Sequence, residues 1–325
     1  LSDHLPNDTH SATMADVAGI LRKLLENIIE QLNYKHAQIS LKELTSGGAN
    51  YTSALFSATI TSRDNEPLKL FAKVAYASEK LREMMNLDYL FITEQFVYTN
   101  LIGVYEKIQD EHNLSLEHRF VFPKFYGARA THGQESVVME DLMARGYHMY
   151  NRFKSIDWEH AATAAECLAR FHALSFAYQN EDPENFAKAA EKLKYYMKYN
   201  RENSDDPVMT NTFMKMMSGA IAVAREEHRE RLGKFLSTES GPEAFYQYRL
   251  PLGTVVLCHG DYRVSNLLFK STTMLATTRS MLPMILKVWQ YEHIFLSESF
   301  IVFINDLHKQ LHILCSNLLG AYIRR

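Results

Sequence analysis

Apolar residues near the start of the chain recur every three or four positions and then change to strict alternation. The first pattern, from Asp16 to Leu32, predicts an amphipathic helix, because residues three and four apart share one helix face. The alternating stretches Ile39–Leu44, Ser53–Ser62 and Leu68–Val74 predict three strands. Since only short polar turns separate these stretches, we expect a meander of antiparallel strands.

The remainder of the chain is predicted to be mainly helical. Ser78–Ile108 has few breakers and favours helix, and the stretches Phe120–Tyr126 and Ser136–Met139 favour two more short strands. Glu140–Gly146 has the composition of a linker. Three further helices are expected over Trp158–Gln179, Phe186–Tyr199 and Pro207–Leu236.

A sheet-rich part followed by a helix-rich part predicts an α+β fold of two lobes joined by one crossover. The length of 325 residues is that of about two domains. We expect a flexible arm over residues 1–15, an N-lobe with a small antiparallel sheet over 16–141 and a larger, mainly helical C-lobe over 142–325. Residues 271–325 are atypical, because they sustain neither a helical nor a strand period.

Composition and charge exclude several classes of protein. With 35 Lys and Arg against 38 Asp and Glu, the formal net charge of −3 does not indicate a nucleic-acid binder. No apolar run is long enough to predict a membrane span, and Leu1–Pro6 lacks the pattern of a signal peptide. Because Cys167, Cys258 and Cys315 are widely spaced and odd in number, we expect no disulfide framework and a cytoplasmic location.

The most specific motif lies in the apolar stretch Val255–Phe269. An expected strand is followed by His259, Gly260 and Asp261, then by Asn266 five residues after the Asp, and then by a second expected strand. Phosphoryl transfer to an alcohol needs a carboxylate beside the attacking hydroxyl and a metal ligand nearby. Asp261 suits the first role, and the amide oxygen of Asn266 suits Mg²⁺. A polar turn in which both side chains cap local backbone groups remains the alternative.

A glycine-rich turn between two expected strands is a second candidate site. Gly47 and Gly48 would let backbone N–H groups approach an anion closely, and Asn50, Thr52 and Ser53 would add donors. The alternative is an ordinary hairpin turn. The turn is not a phosphate-binding loop of the Walker A type, because no Gly-Lys-Ser/Thr follows the glycines.

A lysine within an apolar strand is the third candidate. Lys73 lies between Ala72 and Val74, and Glu94 follows 21 residues later in the expected helix. A Lys–Glu pair between a strand and a helix can direct the ammonium group at the phosphates of a nucleotide. The alternatives are a lysine whose head reaches solvent and a glutamate on a solvated helix face.

Seven motifs in this order resemble the CHK-like or ecdysteroid kinase-like family of the protein-kinase-like superfamily, which is related to choline and aminoglycoside kinases. The resemblance covers about residues 20–270. The motifs that carry it are Gly47–Ser53, Leu70–Val74, Phe91–Tyr98, Phe122–Tyr126, Val138–Leu142, Leu168–Ser175 and Leu257–Asp261. The resemblance implies a two-lobed kinase-like fold, ATP and Mg²⁺ as cofactors, and a small hydroxyl-bearing substrate of the ecdysteroid or xenobiotic class.

The resemblance also implies a role for each matching residue. Asp261 corresponds to the catalytic base and Asn266 to a magnesium ligand, while Lys73 and Glu94 correspond to the phosphate-orienting ion pair. The remaining expected nucleotide-binding residues are those of the glycine-rich loop and of the hinge beside adenine: Gly47, Gly48, Asn50, Tyr51, Thr52, Ser53, Glu140, Asp141 and Leu142.

One departure from the family pattern concerns the second metal ligand. The family has an Asp before Phe-Gln or Trp-Gln about 18–22 residues past the Asn, whereas this chain has Val288 before Trp289 and Gln290. A valine cannot bind Mg²⁺. One hypothesis is that the sequence after about Lys270 derives from a frameshift or an error in the gene model.

The sequence therefore supports two function classes. The first is an ATP-dependent small-molecule kinase, and the second is a nucleotide-binding pseudokinase or truncated product impaired by the loss of that Asp. A protein kinase is less supported, because the sequence has no His-Arg-Asp, Asp-Phe-Gly or Ala-Pro-Glu motif. A metal hydrolase is less supported still, because Cys258 and His259 have no partners at zinc-binding spacing.

Overall fold

The computed structural model describes residues 13–45, 52–116, 118–151, 153–202, 215, 218–235, 255–272, 280–281 and 284–285. The chain divides into two compact units. The first comprises Leu1–Phe171 and Asp261–Val288, and the second comprises His172–Gly260 and Trp289–Arg325.

A five-stranded antiparallel sheet is the main feature of the first unit. Its strands follow the spatial order β1-β2-β3-β5-β4. They are β1 (Gln38–Leu44), β2 (Ser53–Thr61), β3 (Leu68–Ala75), β4 (Phe125–Arg129) and β5 (Ser136–Glu140). The predicted meander is confirmed, because β1 pairs with β2 and β2 with β3. Together with the helices, this sheet confirms the α+β class and is consistent with the kinase-like two-lobed fold.

The first helix, α1 (Met14–Gln31), packs on this sheet as its apolar stripe predicts. Its buried residues, including Leu21 and Leu25, join a core with the alternate residues of β2 and β3. The helix approaches β4 so closely that a β-carbon on Gly127 would lie 3.3 Å from Cδ1 of Ile28. The absence of a side chain at Gly127 thus allows the helix to lie against the sheet.

The predicted helix over Ser78–Ile108 is divided into three helices. These are α2 (Glu79–Met85), α3 (Leu87–Phe96) and α4 (Ile102–Glu111). Asn86 separates the first two in the left-handed conformation, with φ of 43°, which asparagine tolerates better than most residues. A π-helical turn over Val97–Leu101 joins the last two.

The fourth strand begins later than the sequence predicts. Phe120 belongs to no strand, because its N–H donates to Oε1 of Gln109 at 2.6 Å and its carbonyl accepts from Nε2 of the same side chain at 3.2 Å. The ring of Phe120 packs against Phe122 and Phe171. The apolar start of the predicted strand Phe120–Tyr126 is therefore core packing, and the ladder begins only at Phe125.

Short strands follow the linker. A 3₁₀ turn over Met143–Arg145 leads to β6 (His148–Met149), which pairs with β7 (Leu267–Phe269). The other short strands are β8 (Ser271–Thr272), β9 (Ser280–Met281) and β10 (Met284–Ile285). The strand expected before His259 is not formed, since Val255–Leu257 is irregular and the N–H of Leu257 donates to Oγ of Ser175 at 2.7 Å.

The first two of the later helices agree with the prediction, whereas the third predicted helix is interrupted at Ala224 and Arg225, where the chain is not helical. The later helices are α5 (Trp158–Glu181), α6 (Pro183–Glu202) and α7 (Glu226–Phe235). The predicted helix over Pro207–Leu236 falls partly outside the described residues. No helix in the described ranges is both long enough and apolar enough to cross a membrane.

Candidate active site

The loop between Asp261 and Asn266 brings the predicted base and the predicted magnesium ligand into direct contact. Nδ2 of Asn266 donates to the backbone carbonyl and to Oδ2 of Asp261, both at 2.8 Å. The N–H of Asn266 donates to the carbonyl of Arg263 at 2.8 Å, which closes the 3₁₀ turn before β7. Gly260, with φ of 76°, supplies the left-handed residue from which the loop starts.

Arg263 is a site residue that the sequence reasoning missed. Its Nε lies 2.9 Å from Oδ1 of Asp261, and about half of its side chain is exposed. The Asp261 carboxylate is therefore held on both oxygens, by Arg263 on one and by Asn266 on the other. The sequence signal for this contact is the position of the arginine two residues after the Asp, because a long side chain so close in the loop can reach the carboxylate.

The loop is anchored to its surroundings on both sides. The hydroxyl of Tyr262 donates to the carbonyl of Ala164 in α5 at 2.5 Å. In the strand that follows, Leu268 packs against Leu142 and Tyr147 of the linker. The ring of Phe269 lies edge-on to His160 of α5, with 4.7 Å between centroids. These contacts fix the backbone on which Asp261 and Asn266 are carried.

His259 precedes this loop and is buried, with 1% of its surface exposed. Burial lowers the pKa of His259 to about 3. The imidazole is therefore neutral near pH 7.

Lys73 and Glu94 form the ion pair that their sequence spacing suggested. Nζ of Lys73 in β3 lies 2.5 Å from Oε2 of Glu94 in α3, and the two side chains are 6% and 0% exposed. The ammonium also lies over the ring of Phe91, at 4.8 Å from its centroid. The two alternatives, a lysine reaching solvent and a glutamate on a solvated face, are excluded by this burial.

Both members of this buried pair have hydrogen-bonding groups without a partner among the described residues. Within the described part of the chain, Lys73 donates only to Glu94, although an ammonium group carries three donors. Oε1 of Glu94 is buried without a hydrogen-bond partner in the same part of the chain. Buried donors are normally satisfied, so this ammonium is suited to receive the oxygens of an anionic ligand.

The predicted hinge residues have distinct structural roles. The N–H of Glu140 donates to the carbonyl of Lys124 at 2.8 Å, and that of Asp141 to the carbonyl of Lys69 at 3.1 Å. The Asp141 carboxylate caps the 3₁₀ turn that follows, accepting from the next two N–H groups of that turn at 3.0 and 3.3 Å. The N–H of Leu142 makes no hydrogen bond with residues in the described ranges, so it is the hinge donor that a ligand could use.

The glycine-rich loop falls mostly outside the described residues. Gly47, Gly48, Asn50 and Tyr51 are not described, and their predicted role stays a prediction. Of the two remaining loop residues, Thr52 accepts from the N–H of Tyr76 at 3.0 Å through its carbonyl. Ser53 is buried at the start of β2.

The donor set near Asp261 fits a magnesium ion through one residue. Because Nδ2 of Asn266 is bound to Asp261, the amide oxygen of Asn266 points away from that bond and makes no hydrogen bond in the described part of the chain. An amide oxygen is a hard donor of the kind that Mg²⁺ prefers. Val288, which the sequence comparison with the family pattern predicts to replace a metal-binding Asp, lies outside the described residues.

A second cluster of ionisable groups lies at the start of α3. The possible ligand atoms of Asp88, His132 and Glu135 all lie within 4.8 Å of one another. Arg82 donates to both carboxylates, at 2.5 Å to Oδ1 of Asp88 and also to Oε1 of Glu135. Because a guanidinium already binds an oxygen of each carboxylate, we assign the cluster as an ion network rather than a metal centre.

Comparison with protein families identifies the group to which these motifs belong. The model of the ecdysteroid kinase-like family matches residues 47–282, which is more than half of the chain. The match includes Lys73, Glu94, Asp261 and Asn266, and it ends before Val288. Neither the curated proteins nor the solved structures contain a match. The extent of the family match shows that this chain is a member of the ecdysteroid kinase-like family.

Proposed function

We propose that this protein is an ATP-dependent kinase that phosphorylates a hydroxyl group of an apolar small molecule, of the ecdysteroid or xenobiotic class. Family membership supports a kinase-like phosphotransferase. The observation that carries the proposal is the buried ammonium of Lys73, which is oriented by Glu94 and has donors left for phosphate oxygens.

Asp261 is the base in this proposal. Its carboxylate accepts the proton of the acceptor hydroxyl while the hydroxyl oxygen forms a bond to the γ-phosphorus. The bond between that phosphorus and the β,γ-bridging oxygen breaks, and ADP leaves with the electron pair. Asn266 and Arg263 hold the carboxylate in one orientation, so its geometry is set before the substrate arrives.

The remaining residues bind and orient the nucleotide. The N–H of Leu142 is the donor for the adenine ring, and Lys73 contacts the phosphates. Asn266 would hold Mg²⁺ through its amide oxygen, and the ion would supply positive charge to offset the charge of the phosphates. Arg263 adds a half-exposed positive charge beside Asp261.

A pseudokinase is the second candidate function. Val288 at the position of the family's metal-binding Asp favours it, because removing one such electrostatic group typically costs about 10²–10³ in rate. In that case the chain binds a nucleotide through Lys73 and the hinge without appreciable turnover.

An ATP-consumption assay with Mg²⁺ and a panel of ecdysteroids and phenols separates the two functions. A kinase consumes ATP in the presence of a suitable acceptor, and Asp261→Asn lowers that rate about 10²–10³-fold. The matched control is Asp64→Asn, which changes an exposed aspartate in the β2–β3 turn and keeps the wild-type rate. If Asp261→Asn consumes ATP at the wild-type rate, Asp261 is excluded as the base.

Val288→Asp tests the pseudokinase directly. If the wild type binds ATP without turnover and Val288→Asp gains turnover, then the missing ligand explains the inactivity. A wild type and a Val288→Asp variant that both fail to bind ATP would contradict both candidate functions.

A further inference from the structure

The ion network at the start of α3 contains a deeply buried arginine. The Arg82 side chain is 5% exposed, and Glu135 is fully buried. Nη2 of Arg82 contacts Oδ1 of Asp88 at 2.5 Å and also Oε1 of Glu135. Burial disfavours the charged guanidinium, but the hydrogen bonds and charges of Glu135 and Asp88 outweigh it and raise the pKa of Arg82. The arginine is therefore a permanent cation between two carboxylates.

One of the two carboxylates, Asp88, belongs to the helix that carries Glu94, and the other, Glu135, lies next to the strand that carries Lys73. Asp88 lies in the first turn of α3, and Glu94 follows six residues later in the same helix. The carbonyl of Glu135 accepts from the N–H of Ala75 at 2.8 Å, two residues after Lys73 in β3. Arg82 thus links the helix that carries the glutamate to the sheet that carries the lysine.

The N-terminal end of α3 is the end at which such a link acts, because this end is separated from α2. At its other end the helical backbone continues through the π-helical turn and α4 to Glu111. Asn86 in the left-handed conformation interrupts the chain before α3. The position of the N-terminal end is therefore set by tertiary contacts, and Arg82 supplies the buried charged one there.

We propose that Arg82 is a positioning residue, which holds α3 against the sheet so that Glu94 meets Lys73. The inference rests on the proposed function only in that the pair orients a nucleotide. Arg82 itself contacts neither the nucleotide nor the acceptor in this proposal. Its loss lets α3 shift, separates Glu94 from Lys73 and weakens nucleotide binding as a consequence.

The test uses three substitutions at the network and one elsewhere. Arg82→Met removes the charge and keeps an unbranched side chain, whereas Arg82→Lys keeps the charge and loses the planar guanidinium with its several N–H donors. Glu135→Gln keeps the volume and an oxygen that can accept from Arg82. Arg119→Met is the matched control, because Arg119 pairs with Asp110 at the same distance of 2.5 Å but does not contact α3.

Two measurements report the geometry without any nucleotide. The first is the rate at which an amine-reactive ester acylates Lys73, followed by mass spectrometry. The second is hydrogen exchange of the amides in Leu87–Phe96, with the amides of β2 as an internal reference. We expect Arg82→Met to raise both rates about tenfold, which is within the usual range of coupling between sites. Arg82→Lys should restore part of the effect, and Arg119→Met should leave both rates unchanged.

The outcomes separate this inference from the proposed function. The positioning role is overturned if, in Arg82→Met, the ester acylates Lys73 at the wild-type rate and the amides of α3 exchange at the wild-type rate. If these rates rise while the wild type binds no ATP, the positioning role stands and the kinase proposal fails. Should Arg82→Met not fold, Glu135→Gln decides the question, with a smaller rise of both rates expected and unchanged rates contradicting the role. An equal rise in the exchange rates of the β2 amides would indicate general destabilisation and would also overturn the inference.

Discussion

At the scale of single residues, the decisive feature is an ion pair removed from water. Lys73 and Glu94 are almost completely buried, so the protein rather than the solvent stabilises both charges. Removing one partner of such a pair leaves an uncompensated buried charge, which is far more costly than removing both. The second pair, Asp261 with Asn266, is a partly buried hydrogen bond within one loop, and it orients the carboxylate.

Lys73→Met is expected to lower the free energy of unfolding by about 3–5 kcal/mol, because Glu94 then stays buried without a counter-charge. The double variant Lys73→Met/Glu94→Leu should recover most of that loss, because two apolar side chains can replace the pair. Urea denaturation of the three proteins measures both effects. A single variant as stable as the wild type would contradict the burial of this pair.

At the scale of elements, helix ends determine how the sheet is covered. The helix α1 begins with a capping box, in which the hydroxyl of Thr13 accepts from the N–H of Asp16 at 3.2 Å. The Asp16 carboxylate in turn accepts from the N–H of Thr13 at 2.9 Å. The helix α2 begins with a cap from Ser78, whose hydroxyl accepts from the N–H of Leu81 at 3.4 Å. His132, in the turn between β4 and β5, lies between Glu79 in the first turn of α2 and Asp88 in the first turn of α3.

Thr13→Ala is expected to destabilise the protein by about 1 kcal/mol, since it removes the side chain that satisfies a free N–H group of α1. Thr13→Ser keeps the hydroxyl and serves as the control, with stability close to that of the wild type. Thermal denaturation of the three proteins checks the difference. Equal stability of the Ala and Ser variants would show that the capping box does not stabilise the helix.

The turn between β4 and β5 makes stability depend on pH. The hydrogen bond to Asp88 raises the pKa of His132, whose Nδ1 lies 2.5 Å from Oδ2 of Asp88. Glu79, Arg82 and Glu135 are further charged groups near this imidazole. A raised pKa in the folded state means that the stabilisation is complete below the pKa of the unfolded histidine. It is lost as the pH rises through the folded pKa.

We therefore expect the difference in unfolding free energy between the wild type and His132→Gln to be largest in mild acid and to shrink as the pH rises. Urea denaturation at a series of pH values measures this difference. His148→Gln is the control, because His148 is exposed in β6, outside the cluster. A difference for His132→Gln that does not change with pH would contradict the protonated contact with Asp88.

At the scale of the whole molecule, nucleotide binding should appear as a gain in stability. A ligand that binds only the folded protein adds about 2.7 kcal/mol at a concentration of a hundred times Kd. We expect ATP with Mg²⁺ to raise the Tm of the wild type and of Asp261→Asn, because in the proposed function Asp261 acts on the acceptor and not on the nucleotide. Lys73→Met should show no rise, and an equal rise in Lys73→Met would remove Lys73 from the binding site.

Much of the fold could be predicted from local patterns, and the errors have local explanations. The strands from Gln38 to Ala75 were predicted correctly because alternation directly reflects the two faces of a sheet. The first part of Phe120–Tyr126 was wrong, because the Gln109 side chain binds the backbone of Phe120 and prevents pairing. No pattern within Ser78–Ile108 indicated that Asn86 adopts the left-handed conformation.

The sequence by itself determined the family, the α+β class and the candidate residues, because motif order and periodicity are properties of neighbouring positions. The tertiary structure decided which of those residues are in contact and how deeply they are buried, as for Lys73 with Glu94. It also revealed partners that no motif indicated, such as Arg263 on Asp261 and Arg82 on Glu135. Arg82 and Glu135 are 53 positions apart. Only chain folding brings such groups together, and only burial makes the electrostatic interaction between them strong.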